Sequence, residues 1–145
     1  MSWSAYITNC LINTADENGH LYNDVLVGAA IVGHNGVEWA KSGVNVSIYE
    51  AKKLVELFKS KPGTFPSVIL DKKEYQITHY EPDNVVYLKI KDGGAIVAKT
   101  YKAFIIGIYD TTKKYKFDGK ALPQNEEVCN FVVEDLATKF KNLGY

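Results

Sequence analysis

The chain has 145 residues, 46% hydrophobic and 23% charged, the balance of a folded globular protein large enough for one domain, 1–145, with its own core. Its 17 basic and 17 acidic residues cancel, so it lacks the excess positive charge that a general nucleic-acid binder sets against phosphates. Every basic residue is lysine, so an anion would meet flexible point charges and no guanidinium fork.

Residues 2–13 are predicted to form a helix. Ser2 suits the N-cap, and Trp3, Tyr6, Ile7, Cys10 and Leu11 recur at helical spacing on one face. The stretch NTADENGHLYND that follows has the polar, glycine-containing composition of a loop. VLVGAAIVG and VEWAKS then flank His34, Asn35 and Gly36, and Asn-Gly between two apolar runs predicts a hairpin. Gly28 inside the first of these strands predicts a bulge or a close approach by another backbone.

A helix is predicted over 47–59, capped by Ser47, with Ile48, Ala51, Leu54, Val55 and Phe58 along one side; KPGTFP ends it. Four β-like runs follow, SVIL, EYQITHY, NVVYLKI and AIVAKT, separated by short turn sequences, and AFIIGIY comes after Tyr101-Lys102. Such short connections force antiparallel pairing, because a parallel crossover needs about a dozen residues or more. KDGGAI reads as a hairpin turn, since the strand-loop-helix setting of a phosphate loop is missing. DTTKKYKFDGKALPQ reads as a long polar connection. Asn125 caps a last amphipathic helix, with Glu126 and Glu127 favourable in its first turn. Helix, hairpin, helix, meander, helix makes an α+β domain with one antiparallel sheet and helices on its faces.

Chemistry is sparse. Two cysteines, Cys10 and Cys129, are too few for a disulfide scaffold and have no metal-ligand spacing; both read as buried free thiols in a reducing compartment. His20, His34 and His79 fall in a loop, a turn and a strand, and no nucleophile or metal motif accompanies them. No leader pattern and no apolar run of membrane-spanning length is present, so a cytosolic protein is expected. Aromatics, at 12%, are the distinctive feature: Trp3 and Tyr6 near one end, Trp39 after the Asn-Gly turn, Tyr145 at the other end. Two readings stand at this point. The rings are ordinary core, or they form a rigid surface platform with N–H and O–H donors, the surface that a polyproline II segment requires.

MSWSAYI, AAIVGHNGVEWA, GIYD and CNFVVEDLATKFKNLGY together resemble the profilin family, most of all its plant-type and protist-type members, and the resemblance spans essentially the whole chain. It implies a central antiparallel β-sheet sandwiched by the N- and C-terminal helices on one face and further helices on the other. It also implies a non-enzymatic, monomeric, cytoplasmic regulator of the actin cytoskeleton, without cofactor or metal. The implied partners are monomeric actin, proline-rich proteins such as formin-type elongation factors and, in many members, anionic phosphoinositide lipids, but no nucleic acid.

By the same resemblance, Trp3, Tyr6, Trp39 and Tyr145 fall on polyproline-binding positions, and a further position, often His or Tyr in relatives, is Lys139 here. Lys72, Lys73, Lys89, Lys91, Lys99 and Asn130 are carried over to the actin face; Lys89 and Lys91, two apart, would share one face of a strand. A basic position of relatives is Tyr87 or Leu88 here. Two stretches are longer than in plant-type members: the loop before the first strand, and KKYKFDGKALPQ, expected beside the actin face. The alternatives are an α/β/α adaptor or sensor that has lost actin binding, and an enzyme whose site is assembled from distant residues.

Overall fold

Ser2 caps the first helix as expected, its hydroxyl accepting the Ala5 N–H at 3.1 Å. The structure, a computed structural model, describes residues 2–145; Met1, the first residue of the MSWSAYI stretch, lies outside the described residues. Helix α1 (Trp3–Tyr6) runs on as a π-helix over Ile7–Ile12, with Ile7 and Leu11 buried. Spacing of apolar residues finds the helix but not this wider hydrogen-bond register.

Next come β1 (Thr14–Ala15), β2 (Leu21–Asn23), β3 (Gly28–Gly33), β4 (Glu38–Ser42) and α2 (Ile48–Lys59). Five strands follow: β5 (Ser67–Leu70), β6 (Lys73–Glu81), β7 (Val85–Ile90), β8 (Gly93–Lys99) and β9 (Ala103–Asp110). The chain then forms β10 (Lys114–Phe117), β11 (Lys120–Pro123) and α3 (Glu126–Asn142). The seven-stranded antiparallel sheet runs β4-β3-β9-β8-β7-β6-β5. The terminal helices cover one face over Ala29, Ile31, Ile96 and Ile105; α2 covers the other over Val86, Leu88, Val97 and Phe104. This is the expected α+β layering.

Several expectations hold in detail. Ser47 and Glu50 make a reciprocal capping box, and the buried Glu50 carboxylate also accepts the N–H groups of Asp71 and Lys72, tying α2 to the β5–β6 turn. Gly28 is a close approach: a Cβ there would lie 3.1 Å from the Val44 Cβ and 3.3 Å from the Gly43 carbonyl oxygen. Asn125 caps α3 through the Val128 N–H.

Others are corrected. NTADENGHLYND and DTTKKYKFDGKALPQ are not loops throughout: β1, β2, β10 and β11 form a second, four-stranded sheet in which β2 pairs with β10. Strands of two to four residues separated by nearly a hundred positions show no local periodicity. Gly93 and Gly94 belong to β8, so the hairpin turn is Lys91-Asp92. Ile48 is 61% exposed at the start of α2. Cys129 is buried but Cys10 is only half-buried, because it lies on the flank of the π-helix.

Candidate functional site

Helix direction decides which residues meet. The terminal helices run antiparallel, so the start of α1 lies beside the end of α3, and Trp3 and Tyr6 come against the last turn of α3 and Tyr145. Ring centroids of Trp3 lie 4.6 Å from Trp39, 5.1 Å from Tyr145 and 5.9 Å from Tyr6. Beneath them is Phe140, wholly buried, 5.0 Å from Tyr6, 5.7 Å from Trp3 and 5.8 Å from Tyr145. All four upper rings are half-buried. Half-burial puts them between the two readings that the sequence left open. The indole N–H groups of Trp3 and Trp39 and the phenols of Tyr6 and Tyr145 make no hydrogen bond within the described residues, which leaves four donors at the surface.

The backbone makes room for this cluster. A Cβ on Gly33 would sit 3.0 Å from the Trp39 indole nitrogen and 2.7 Å from the Asn35 side-chain oxygen, so a side chain there would push the indole away. A Cβ on Gly107 would sit 2.6 Å from a Val133 methyl, so glycine lets α3 lie close on β9 and carry Phe140 to the rings. Sequence reasoning did not single out Phe140; the amphipathic period of the last helix was the only signal that could have found it.

Lys139 supplies no ring. It is exposed and pairs with Asp135 one turn back, at 3.2 Å, on the rim of a shallow hollow shared with Asp16, Glu17, Asn18 and Phe131. The i,i+4 pair on an exposed helix face contributes only a few tenths of a kcal/mol.

The residues carried over to the actin face do not form one group. Lys89, on β7, faces the terminal-helix side, 3.4 Å from the Tyr109 hydroxyl. Asn130 comes to this side from α3, and its side-chain oxygen is buried without a partner. Lys73 and Lys91 line a hollow of about 190 Å³ with Tyr75, Ile90 and Asp92; Lys91 falls just past β7, outside the strand it was expected to share with Lys89. Lys72 stands in the β5–β6 turn with φ of 65°. Lys99, paired across the sheet with Phe104, points to the α2 side at the far end and bonds Asp83 at 2.6 Å.

Among the described residues no group of three or more His, Cys, Asp or Glu could hold a metal ion. Burial pushes the Cys129 thiol far up, away from thiolate reactivity. His20 is drawn to Asp118 and His79 to Glu81, each at an exposed site. Among the described residues no helix is long and apolar enough to cross a membrane.

The family model described as Profilin matches residues 1–145. Profilin-A of Physarum polycephalum is 30% identical over 135 residues, 93% of this chain and 98% of that protein. Acanthamoeba castellanii profilin II superposes with a TM-score of 0.78 at 27% identity, covering 99% of this chain and all of the other. At lower identity the fold is shared with LokiProfilin2 in complex with rabbit actin (17%, TM-score 0.61, 83% and 88% covered). It is shared too with mouse profilin IIa bound to a double repeat from the FH1 domain of mDia1 (16%, TM-score 0.60, 83% and 89% covered).

Proposed function

This chain belongs to the profilin family, and from that premise we propose that it holds monomeric actin on one face and a proline-rich segment across the Trp3, Tyr6, Trp39 and Tyr145 rings. The observation that carries the reading is the ring cluster itself: Tyr6, Trp39 and Tyr145 with centroids 4.6–5.9 Å from that of Trp3, half-buried over Phe140, with unused N–H and O–H donors. A polyproline II helix offers pyrrolidine faces and unpaired carbonyls, and loses little entropy on binding because it is already extended. Rings with two side-chain torsions pay little to order against it. Nothing in this arrangement does bond chemistry; it is a docking surface.

Lys72, Lys73, Lys89, Lys91 and Asn130 are the residues from which we build the actin side, with Lys99 the outlier because of its distance from the rest and its bond to Asp83. Two partners on different faces make the protein a bivalent adaptor. A proline-rich elongation factor that holds it raises the local concentration of actin monomers, a gain set by tether length rather than by new contacts. Profilins seen with actin and with proline-rich FH1 repeats support both halves of this reading.

The test is titration of fluorescently labelled monomeric actin with this protein, alone and with a proline decamer present. Saturable binding that persists with the peptide bound is expected. Absence of any actin response at a hundredfold molar excess would leave the adaptor reading that has lost actin, and competition between the two ligands would end the two-face mechanism.

A further inference from the structure

Tyr145 reaches the ring cluster because of hydrogen bonds that do not involve its ring. The turn between β8 and β9, the turn between β3 and β4, and the end of α3 meet at one end of the large sheet. There the Lys102 N–H and the Thr100 hydroxyl both lie on the main-chain oxygen of Tyr145, the hydroxyl at 3.1 Å. Thr100 is 1% exposed. Its hydroxyl is also 3.1 Å from the Ala103 carbonyl oxygen and accepts the Ala103 N–H. One hydroxyl has one proton, so it can serve only one of the two oxygens.

Donor bookkeeping settles which. The Ala103 oxygen accepts the Thr100 N–H at 2.8 Å, and His34 Nε2 lies 3.1 Å from it as a second donor. A carbonyl oxygen obliges Nε2 to carry the proton, which both the Nε2–H tautomer and the imidazolium do. With Ala103 already served, the Thr100 proton goes to the Tyr145 main-chain oxygen, which also accepts the Lys102 N–H. His34 is itself fixed by its backbone N–H on the Lys102 carbonyl and by its ring 4.7 Å from Phe104. Thr100 and Ala103 are buried, so removing the Thr100 hydroxyl leaves the Ala103 N–H without its partner.

We propose that Thr100, oriented by the His34–Ala103 bond, is a positioning residue that holds Tyr145 edge-on to Trp3 and thereby sets the shape of the proline-binding surface. The inference rests on the proline-binding reading of the rings. It gives His34 and the β8–β9 turn, neither of which touches the ligand, a part in ligand affinity.

Thr100→Val keeps the branched shape and removes the hydroxyl; Thr100→Ser keeps the hydroxyl. Two measurements on the full chain separate the cases: titration with a proline decamer followed by tryptophan fluorescence, and the Tyr145 ring proton shifts, which the Trp3 ring current displaces. Thr100→Val should weaken the decamer by about five- to tenfold, the effect of one lost buried hydrogen bond. It should also return the Tyr145 shifts toward their free values, while Thr100→Ser stays within about twofold of the parent. Wild-type affinity in the Val variant, or equal loss in both variants, overturns the proposal. If the parent itself does not bind the decamer, the proline reading fails, and the Tyr145 shifts still judge the latch: unchanged shifts in Thr100→Val overturn it. If Thr100→Val does not fold, His34→Gln, which keeps a donor, and His34→Leu, which does not, repeat the comparison, and identical Tyr145 shifts in the two overturn it.

Discussion

The two ends of the terminal helix pair are built on opposite principles. At the end where α1 begins, five rings from residues 3, 6, 39, 140 and 145 pack face and edge, with apolar contact as the cement. At the other end, two stretches that read as loops make a four-stranded sheet over Phe131, joined by polar bonds. The Asp118 carboxylate takes the Leu21 N–H at 2.7 Å and His20 Nδ1 at 2.7 Å. The buried Gln124 side chain accepts the Asp110 N–H and donates to the Asp24 carbonyl, bridging the two segments. The half-buried Tyr22, Phe117 and Phe131 supply its small apolar floor. The ring end gains from area removed from water, which is insensitive to pH. The sheet end leans on exposed charges and so responds to pH and salt.

Changes should break the two ends selectively, except where they share a part. Phe140→Ala removes the floor of the ring end and a core residue of α3 at once; a loss of about 3–5 kcal/mol in urea unfolding is expected, felt at both ends. Trp3→Ala touches only the ring end. Retention on a polyproline matrix should disappear, a loss of about 1–3 kcal/mol of binding, while far-UV circular dichroism and Leu21 amide protection stay as they were. Retention of a folded mutant would show that the rings are not the docking surface. Lys139→Tyr asks whether the cluster is one ring short: proline-decamer affinity should rise roughly two- to tenfold, and no gain would mean that the existing rings already span the ligand.

The smallest effect belongs to the sheet end and is a pH effect. The bond to Asp118 raises the His20 pKa above its ordinary 6.5, with Asp16 helping. The Leu21 N–H and then His20 lower that of Asp118 below its ordinary 3.8. The raised His20 contributes fully below pH 6.5 and loses its contribution as pH climbs through its folded value. The lowered Asp118 contributes above 3.8 and loses it as pH falls through its own. The Leu21 protection factor should therefore be greatest between about pH 4 and 6.5 and decline above neutrality. Asp118→Asn should flatten that profile and leave proline binding untouched; both groups are exposed, so the change is local.

How much of this could be read beforehand follows the same division. Hydrophobic period and turn chemistry were enough for α2, the β3–β4 hairpin, the five-strand meander and α3, since each is specified by neighbours in the chain. Ser47, Asn125 and the Asn-Gly turn announced their elements by residue type alone. The ring positions were also legible, Trp3 and Tyr145 as large side chains at positions where a core seldom lies. Phe140 was visible only as one more apolar residue on α3, and Thr100 and His34 as a strand end and a turn. The proximity that gives them a role lies between segments far apart in the chain.

Composition and periodicity by themselves determined an α+β fold with helices on both faces of an antiparallel sheet, because burial of apolar stripes leaves few other layerings. Residue type determined where rings, caps and turns would fall. Only the tertiary structure decided that β2 would find β10, that Lys99 would turn away from Lys89, and that the Thr100 hydroxyl would meet the main-chain oxygen of Tyr145. Those outcomes depend on which donors and acceptors are left after long-range pairing, and no local stretch of sequence contains that sum.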